Sequence, residues 1–238
     1  MSDTGSIVGV IPARGGSKSI PRKNLALVAG RSLLAYTAQA ALGTARLDRV
    51  VLSTDDAEIA AAGRALGIEV PFLRPAALAG DETGMLPVLR HTLDWLGAQG
   101  TAAAALVLLQ PTSPLRLSRH VDEAIALLLA SDAETVVSVV EVPHNFGPAS
   151  VLSRGEDGRL TPFLPGPLIL RRQDKPRVFA RNGPAILAVR SAALRRGTLY
   201  GEPTLGYLMS AADSLDIDEP DDLWLAEQYI RRREAADA

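Results

Sequence analysis

The sequence predicts an α/β fold, a mostly parallel Rossmann-type sheet covered by helices on both faces. Two observations predict it. Strand-like and helix-like segments alternate from Ile7 to Val140, the mark of successive βαβ units. The distinctive polar clusters also fall just after the strand-like runs. Open α/β sheets bind their ligands there, beyond the carboxyl ends of the strands.

Each element follows from its residues. Ile7–Ile11 is an apolar run and reads as a buried first strand. A long loop separates it from a helix over Ser32–Leu42, with Ser32 as N-cap and Gly43 just past its end. Val50–Ser53 reads as a strand, Asp55–Leu66 as a helix stopped by Gly67, and Glu69–Phe72 as a short strand. Asp55-Asp56 is expected to cap that second helix, with Asp56 and Glu58 favourable in its first turn. Thr83–Leu96 reads as a helix and Leu106–Leu109 as a buried strand. Ser118–Leu129 reads as a helix capped by Ser118, and Thr135–Val140 as a β-branched strand.

The rhythm breaks at Pro143. From there to Asn182 prolines alternate with short apolar runs, which reads as a two- or three-strand excursion. The expected organisation is one domain over residues 1–238 with an inserted arm at about 142–182. An arm this small cannot bury Phe146, Phe163, Leu164 and Leu168–Leu170 on itself, so a homodimer is expected. Alternation returns at Ala185–Val189, and Pro220–Arg232 closes the chain as an amphipathic helix.

Composition narrows the function. With 238 residues and a net charge of −2, there is no electrostatic case for nucleic-acid or anionic-membrane binding. The absence of cysteine excludes disulfides, thiolate metal sites and cysteine nucleophiles. No run reaches the length of a membrane span and no signal-peptide pattern opens the chain, so a cytoplasmic location is expected. His91, His120 and His144 are scattered, and no serine sits in a nucleophile-elbow pattern.

The most informative segment is Ile11-Pro12-Ala13-Arg14-Gly15-Gly16-Ser17-Lys18-Ser19-Ile20-Pro21-Arg22-Lys23-Asn24. Adjacent glycines let backbone N–H groups approach an anion, and the cations Arg14, Lys18, Arg22 and Lys23 neutralise it. At the end of a first strand this suggests a triphosphate site. It is not a P-loop, because Ser17 rather than glycine precedes Lys18. It is not the dinucleotide fingerprint either, which needs three spaced glycines.

Asp213-Ser214-Leu215-Asp216-Ile217-Asp218-Glu219-Pro220 is the second signal. In extended backbone, residues two apart point the same way, so Asp216 and Asp218 share a side and Leu215 and Ile217 anchor the other. Two hard carboxylates beside a triphosphate suit Mg²⁺. The same acids also suit the start of the last helix, where Asp218 or Glu219 is placed to cap.

Ile11–Asn24 closely resembles the opening motif of the acylneuraminate cytidylyltransferase family, which includes the CMP-N-acetylneuraminate, CMP-pseudaminate and CMP-legionaminate synthetases. Four further segments match in order: Leu73-Arg74-Pro75 with Asp81, Leu109–Arg116, Arg172-Gln173 with Arg181-Asn182-Gly183, and Asp213–Asp218. The resemblance implies a nucleotide-diphospho-sugar transferase-like fold, a dimer with an arm reaching its partner, and CTP with Mg²⁺. It implies transfer of CMP from CTP to a small acidic sugar of the nonulosonate type, releasing pyrophosphate. Arg14, Lys23 and Asp218 would act in catalysis. The nucleotide set implied is Ala13, Arg14, Gly15, Gly16, Ser17, Lys18, Lys23, Asn24, Arg74, Asp81 and Thr83. Gln110, Arg172, Leu199 and Tyr200 would meet the acceptor, and Asp216 and Asp218 would hold the metal.

Departures from the family pattern concentrate in the acceptor half. Ile186 stands where sialic-acid-activating members place a tyrosine, and Pro184 interrupts the usual Gly-Ala step. His144-Asn145-Phe146-Gly147-Pro148-Ala149 replaces the arm's histidine-proline and lysine, and Ser19 replaces a glycine of the opening motif. Other acceptors such as an alkylphosphonate, GTP as donor, or a non-catalytic nucleotide sensor are the rival readings.

Overall fold

The first strand, β1 (Ser6–Pro12), carries five consecutive buried residues. Such a run suits only a strand covered on both faces, and β1 duly lies inside the sheet. The computed structural model describes residues 5–166 and 168–237. Residues 1–4 and 238 of the expected domain, and residue 167 of the expected arm, lie outside the described residues.

After β1 come the short strands β2 (Leu27–Val28) and β3 (Arg31–Ser32), then α1 (Leu33–Leu42), β4 (Arg49–Ser53), α2 (Ala57–Ala65) and α3 (Met85–Ala98). β5 (Ala103–Leu108), α4 (Ser118–Leu129) and β6 (Thr135–Glu141) complete the alternating part. The arm region supplies β7 (Leu152–Arg154), β8 (Leu160–Pro162) and β9 (Phe179–Arg181). The chain closes with β10 (Leu187–Arg190), α5 (Ser191–Arg196), β11 (Thr204–Met209) and α6 (Pro220–Asp237).

The strand order is β11-β6-β10-β5-β1-β4, with β9 also on β6. β1 runs parallel to β4 and β5, and β11 parallel to β6. β10 is antiparallel to both of its neighbours. β9 and β10 lie one after the other along β6, at Val139–Glu141 and Thr135–Val137, so they form one interrupted strand. The interruption, residues 182–186, sits level with Ser138. Ser138 Oγ donates to Asn182 Oδ1 at 2.6 Å and accepts from the Ile186 N–H at 2.8 Å.

Two hydrophobic clusters cover the sheet. On one, Leu34, Ala38 and Ala41 of α1, Ile59 of α2 and Val121, Ala124 and Ile125 of α4 pack on the strands. On the other, Leu89, Leu93 and Leu96 of α3 join Ala193 and Leu194 of α5. Each buried Leu, Ile or Val contributes about 1.5–3 kcal/mol. A third cluster matters to the site: Ile20, Leu33, Leu115, Ile217, Ala226 and Ile230 pin the basic loop and the acidic segment under α6.

Local signals explain the helix starts. Ser32 caps α1, its Oγ accepting from the Ala35 N–H at 3.1 Å. Asp56 alone caps α2, accepting from the N–H groups of Glu58 and Ile59 at 2.9 Å each. Three expectations need correction. Ser118 is the first helical residue of α4 and not its cap; Leu117 takes the N-cap position in extended backbone, its N–H donating to His120 Nδ1 at 3.2 Å. α3 starts at Met85, behind Gly84. The expected strand at Glu69–Phe72 is a single bridge, Val51 to Glu69, because Pro71 has no N–H to continue a ladder. No helix among the described residues is long and apolar enough to cross a membrane.

Candidate active site

β1 ends in Pro12, and Ala13 prolongs its pairing, donating its N–H to Ser53 O at 3.0 Å. The chain then turns outward as the basic loop. Asn24 closes the loop by donating Nδ2–H to Arg14 O at 2.9 Å. Gly15 lies against the end of β4. Its N–H donates to Asp55 Oδ1 at 3.1 Å, and a Cβ there would stand 2.7 Å from Asp56 Oδ2. Glycine is needed for that approach, and the Gly15 N–H is held by Asp55 and not open to a phosphate. Gly16 has open space beside it.

Three cations line a cavity of about 190 Å³ at the carboxyl ends of β1 and β5. They are Arg14, Lys23 and Arg74, alongside Gly16, Ser17, Asn24, Met85 and Gln110. Arg74 is 4% exposed, and its Nε has no hydrogen-bond partner among the described residues. Burial pushes its guanidinium pKa down, opposed by Asp55 at 3.6 Å. A buried donor without an acceptor costs about 1–3 kcal/mol, so Arg74 is an expensive side chain to keep beside this cavity. At the mouth, Asp81 accepts from Arg14 and pairs with Lys18 at 2.9 Å. The Lys18 and Arg14 hydrogen bonds hold the Asp81 carboxyl below its usual range.

Arg22 departs from expectation. It pairs with Asp56 at 3.0 Å and with Glu58, so its charge serves the start of α2 and not the cavity.

The acidic segment is stitched to the loop. Ile217 is fully buried and its N–H donates to Thr112 O at 2.8 Å. Lys23 Nζ donates to Ile217 O at 2.7 Å and lies 3.6 Å from Asp218. Ser19 Oγ donates to Asp218 O at 2.6 Å, a bond that glycine, its counterpart in the resembled motif, does not make. Asp216 is half-buried beside Gly183, whose φ is +112°. A Cβ there would sit 3.1 Å from Asp216 Oδ2, so both space and backbone favour glycine. Burial raises the Asp216 pKa and the Asp218 charge adds to this, against hydrogen bonds from Thr112 and Ser113 and the charge of Lys23.

Among the described residues no group of three or more His, Cys, Asp or Glu is arranged to hold a metal. The pair Asp216 and Asp218 still fits Mg²⁺ completed by phosphate oxygens. A desolvated carboxylate beside a second one is relieved by a hard dication, and both donors are hard oxygens. Neither Asp218 nor Glu219 caps α6. Asp222, inside the first turn of α6, reaches back instead and accepts their N–H groups at 2.9 and 2.8 Å.

Some expected residues stay apart from the cavity. Thr83 sits in the turn before α3, its N–H on Gly80 O at 3.1 Å. Leu199 and Tyr200 pack on the α3–α5 cluster, and Tyr200 lies under Arg181, 5.0 Å from guanidinium to ring centre. Arg172 is exposed on the arm. Arg171 pairs with Asp174 at 2.7 Å and Arg177 with Glu141 at 2.6 Å, whereas Arg172 has no side-chain partner among the described residues. Gln110 does reach the wall, its Nε2 donating to Gly183 O at 3.5 Å.

Two residues were missed. Asp55 braces Gly15 and Arg74 together. Arg116, 2% exposed, holds Gln110 O at 3.1 Å and Ala185 O at 2.6 Å through Nη1. Partners this far along the chain leave no local signal.

A glycine-basic loop, a cationic cavity and a carboxylate pair at one edge of this sheet define a nucleotidyltransferase. The sequence model of the cytidylyltransferase family matches residues 8–153, and the chain belongs to that family. The CMP-N,N'-diacetyllegionaminic acid synthase of Legionella pneumophila is 33% identical over 97% of this chain and 98% of its own length. The N-acylneuraminate cytidylyltransferase of Escherichia coli is 31% identical over 92% of this chain, which spans only 51% of that longer protein. Among solved structures, CMP:2-keto-3-deoxy-manno-octonic acid synthetase complexed with CTP matches with a TM-score of 0.71 at 18% identity, over 96% of this chain and 99% of that one. That likeness shows the fold.

Proposed function

We propose that this protein transfers CMP from CTP to the anomeric hydroxyl of a nonulosonic acid, a 2-keto-3-deoxy sugar acid, releasing pyrophosphate. The observation that carries the reading is the cavity lined by Arg14, Lys23 and Arg74, with Lys23 also 3.6 Å from Asp218. The names of the relatives supply the acceptor class.

Arg14 and Lys18 exchange Asp81 for triphosphate oxygens. Lys23, already fixed by Ile217 O, stands between those phosphates and the acid pair. Arg74 adds its positive charge to the nucleotide wall of the cavity. Gln110, held by Arg116, faces the acceptor. The acceptor hydroxyl attacks the α-phosphorus in line with the departing pyrophosphate. The protein's share is positioning and charge stabilisation, since such a displacement needs no covalent intermediate. Asp216 and Asp218 would hold Mg²⁺, which supplies phosphate polarisation and a lowered pKa for the attacking hydroxyl. In a dimer, the arm carries Arg172 towards the neighbouring site, where its guanidinium grips the acceptor carboxylate.

The test is pyrophosphate release with CTP, Mg²⁺ and a panel of nonulosonic acids, other keto acids and phosphonates. Turnover is expected with a nonulosonic acid, and with CTP ahead of UTP and both ahead of purine triphosphates. Turnover only with another acceptor class, or equal use of GTP, overturns the proposal.

A further inference from the structure

On α6, Ala226 and Ile230 face the third cluster, where they meet Leu115 and Ile217. Arg233 follows at the next helical interval and extends the same face. Its neighbour Arg231 pairs with Glu227, one turn back on α6. Arg233 instead bridges two distant segments. Its Nη1 donates to Leu115 O at 2.9 Å, and its Nη2 donates to Asp213 Oδ1.

Those two segments are the ones between which Asp216 is placed. Thr112 O takes the Ile217 N–H at 2.8 Å, and Ser113 Oγ donates to Asp216 Oδ1 at 3.5 Å. Residues 112–115 and 213–217 are thus joined at both ends, by these bonds at one and by Arg233 at the other. A planar guanidinium offers donors at a fixed separation, so it sets a spacing as well as a charge. Exposed ion pairs fix little. The Asp213 side chain, however, is only 13% exposed and is gripped from three elements. Its Oδ2 accepts from Ser210 Oγ, just past β11, at 2.7 Å, and His120 Nε2 of α4 lies 3.6 Å away. Ser214, the next residue, accepts at Oγ from Asn182 Nδ2 at 2.8 Å.

We propose that Arg233 and Asp213 act together as positioning residues for Asp216 and Asp218, given that this pair holds the metal as proposed above. Neither touches the reacting groups. The clasp fixes the backbone from which both carboxylates project, three and five residues beyond Asp213. Small errors in such a placement matter, because Asp216 lies closely against Gly183 and a metal site tolerates little drift in its ligands.

The Ile217 amide reads the clasp directly. In isotope-labelled full-length protein without metal, Arg233→Gln and Asp213→Asn should each speed hydrogen exchange at the Ile217 N–H by about 10-fold, with the Val8 and Val10 amides of β1 unchanged. In turnover, each should raise the Mg²⁺ concentration for half-maximal rate by about 10-fold, a common cost of losing a residue that orients metal ligands. CTP affinity in metal-free buffer should stay within about 2-fold, and the double variant should be no worse than either single one within the same factor, because both changes break one clasp. Unchanged exchange at Ile217, or a rise shared equally by β1, overturns the inference. So does an unchanged Mg²⁺ requirement, or single effects that multiply in the double variant. A wild-type protein that never turns over refutes the proposed reaction alone, since the exchange pattern is read without turnover.

Discussion

Asp55 offers the sharpest test of how the nucleotide cavity is organised. Its carboxylate accepts from the Gly15 N–H at 3.1 Å and stands 3.6 Å from Arg74. Asp55→Asn keeps an oxygen for Gly15 and removes the charge opposite Arg74. Breaking a fully buried ion pair costs about 3–5 kcal/mol, but the Asp55 side chain is 28% exposed and the pair is long. A discounted cost of about 1–2 kcal/mol remains, or roughly 5–30-fold in an equilibrium. With its counterion gone, Arg74 is expected to lose its fixed position, and CTP should bind about 5–30-fold more weakly. The acceptor KM should stay within about 2-fold, since the partners of Asp55 are Gly15 and Arg74 and not Gln110. Asp55→Ala should do more, because the Gly15 N–H also loses its acceptor. Calorimetry with CTP and steady-state pyrophosphate release read the two parts separately, and urea unfolding checks the fold. An Asp55→Asn protein with wild-type CTP affinity would falsify the brace.

Further outcomes follow from the same geometry. Asp218→Asn should lower kcat by at least about 100-fold with the fold retained, the effect of losing one preorganised charge; near-normal turnover would sink the metal assignment. The Asp216 pKa is raised in the folded state, so the native protein holds this proton more tightly than the unfolded chain, and stability falls as pH rises through the window between the two pKa values. Asp216→Asn in metal-free buffer at neutral pH should therefore raise Tm by roughly 1–3 °C while turnover is lost; a lower Tm refutes the account. Light scattering should find twice the 25.1 kDa chain mass, and Leu170→Asp, at a side chain 84% exposed in one chain, should yield monomers; a fully active wild-type monomer removes the arm's role. Arg172→Lys should raise the acceptor KM several-fold and leave the CTP KM alone, whereas equal effects on both would place Arg172 elsewhere.

Much of this fold was legible because its signals are local. The Ser32 cap, the Asp56 cap and the unbroken apolar runs of β1 and β5 act within a few residues. The excursion was legible only as a break, since β9 and β10 find their places by pairing with β6 and not by their own pattern. In the site, Arg14, Lys23, Arg74 and Gln110 meet at one cavity as the spacing of the loops suggested. Arg22 was misread because its partners, Asp56 and Glu58, are 34 and 36 residues away. Asp55 looked like a second cap for the same reason: its neighbour Asp56 satisfies the helix, and only tertiary structure brings Gly15 and Arg74 to it. Leu199 and Tyr200 pack on the α3–α5 cluster, a tertiary placement that their own stretch of sequence does not carry.

The bonds from Ser19 to Asp218 and from Lys23 to Ile217 join residues 199 and 194 positions apart. At roughly 5–20 residues per second, about 10–40 s of synthesis separates the basic loop from the segment that fixes it. The strands β1, β4 and β5 can pair during that interval, whereas the loop must wait. Contacts of such long range are also the slowest to gain, because the whole intervening chain has to be ordered first. The catalytic edge is therefore the last part of the molecule to be completed. A chain cut before residue 213 retains all the strands of its sheet but leaves Lys23 and Ser19 with nothing to hold.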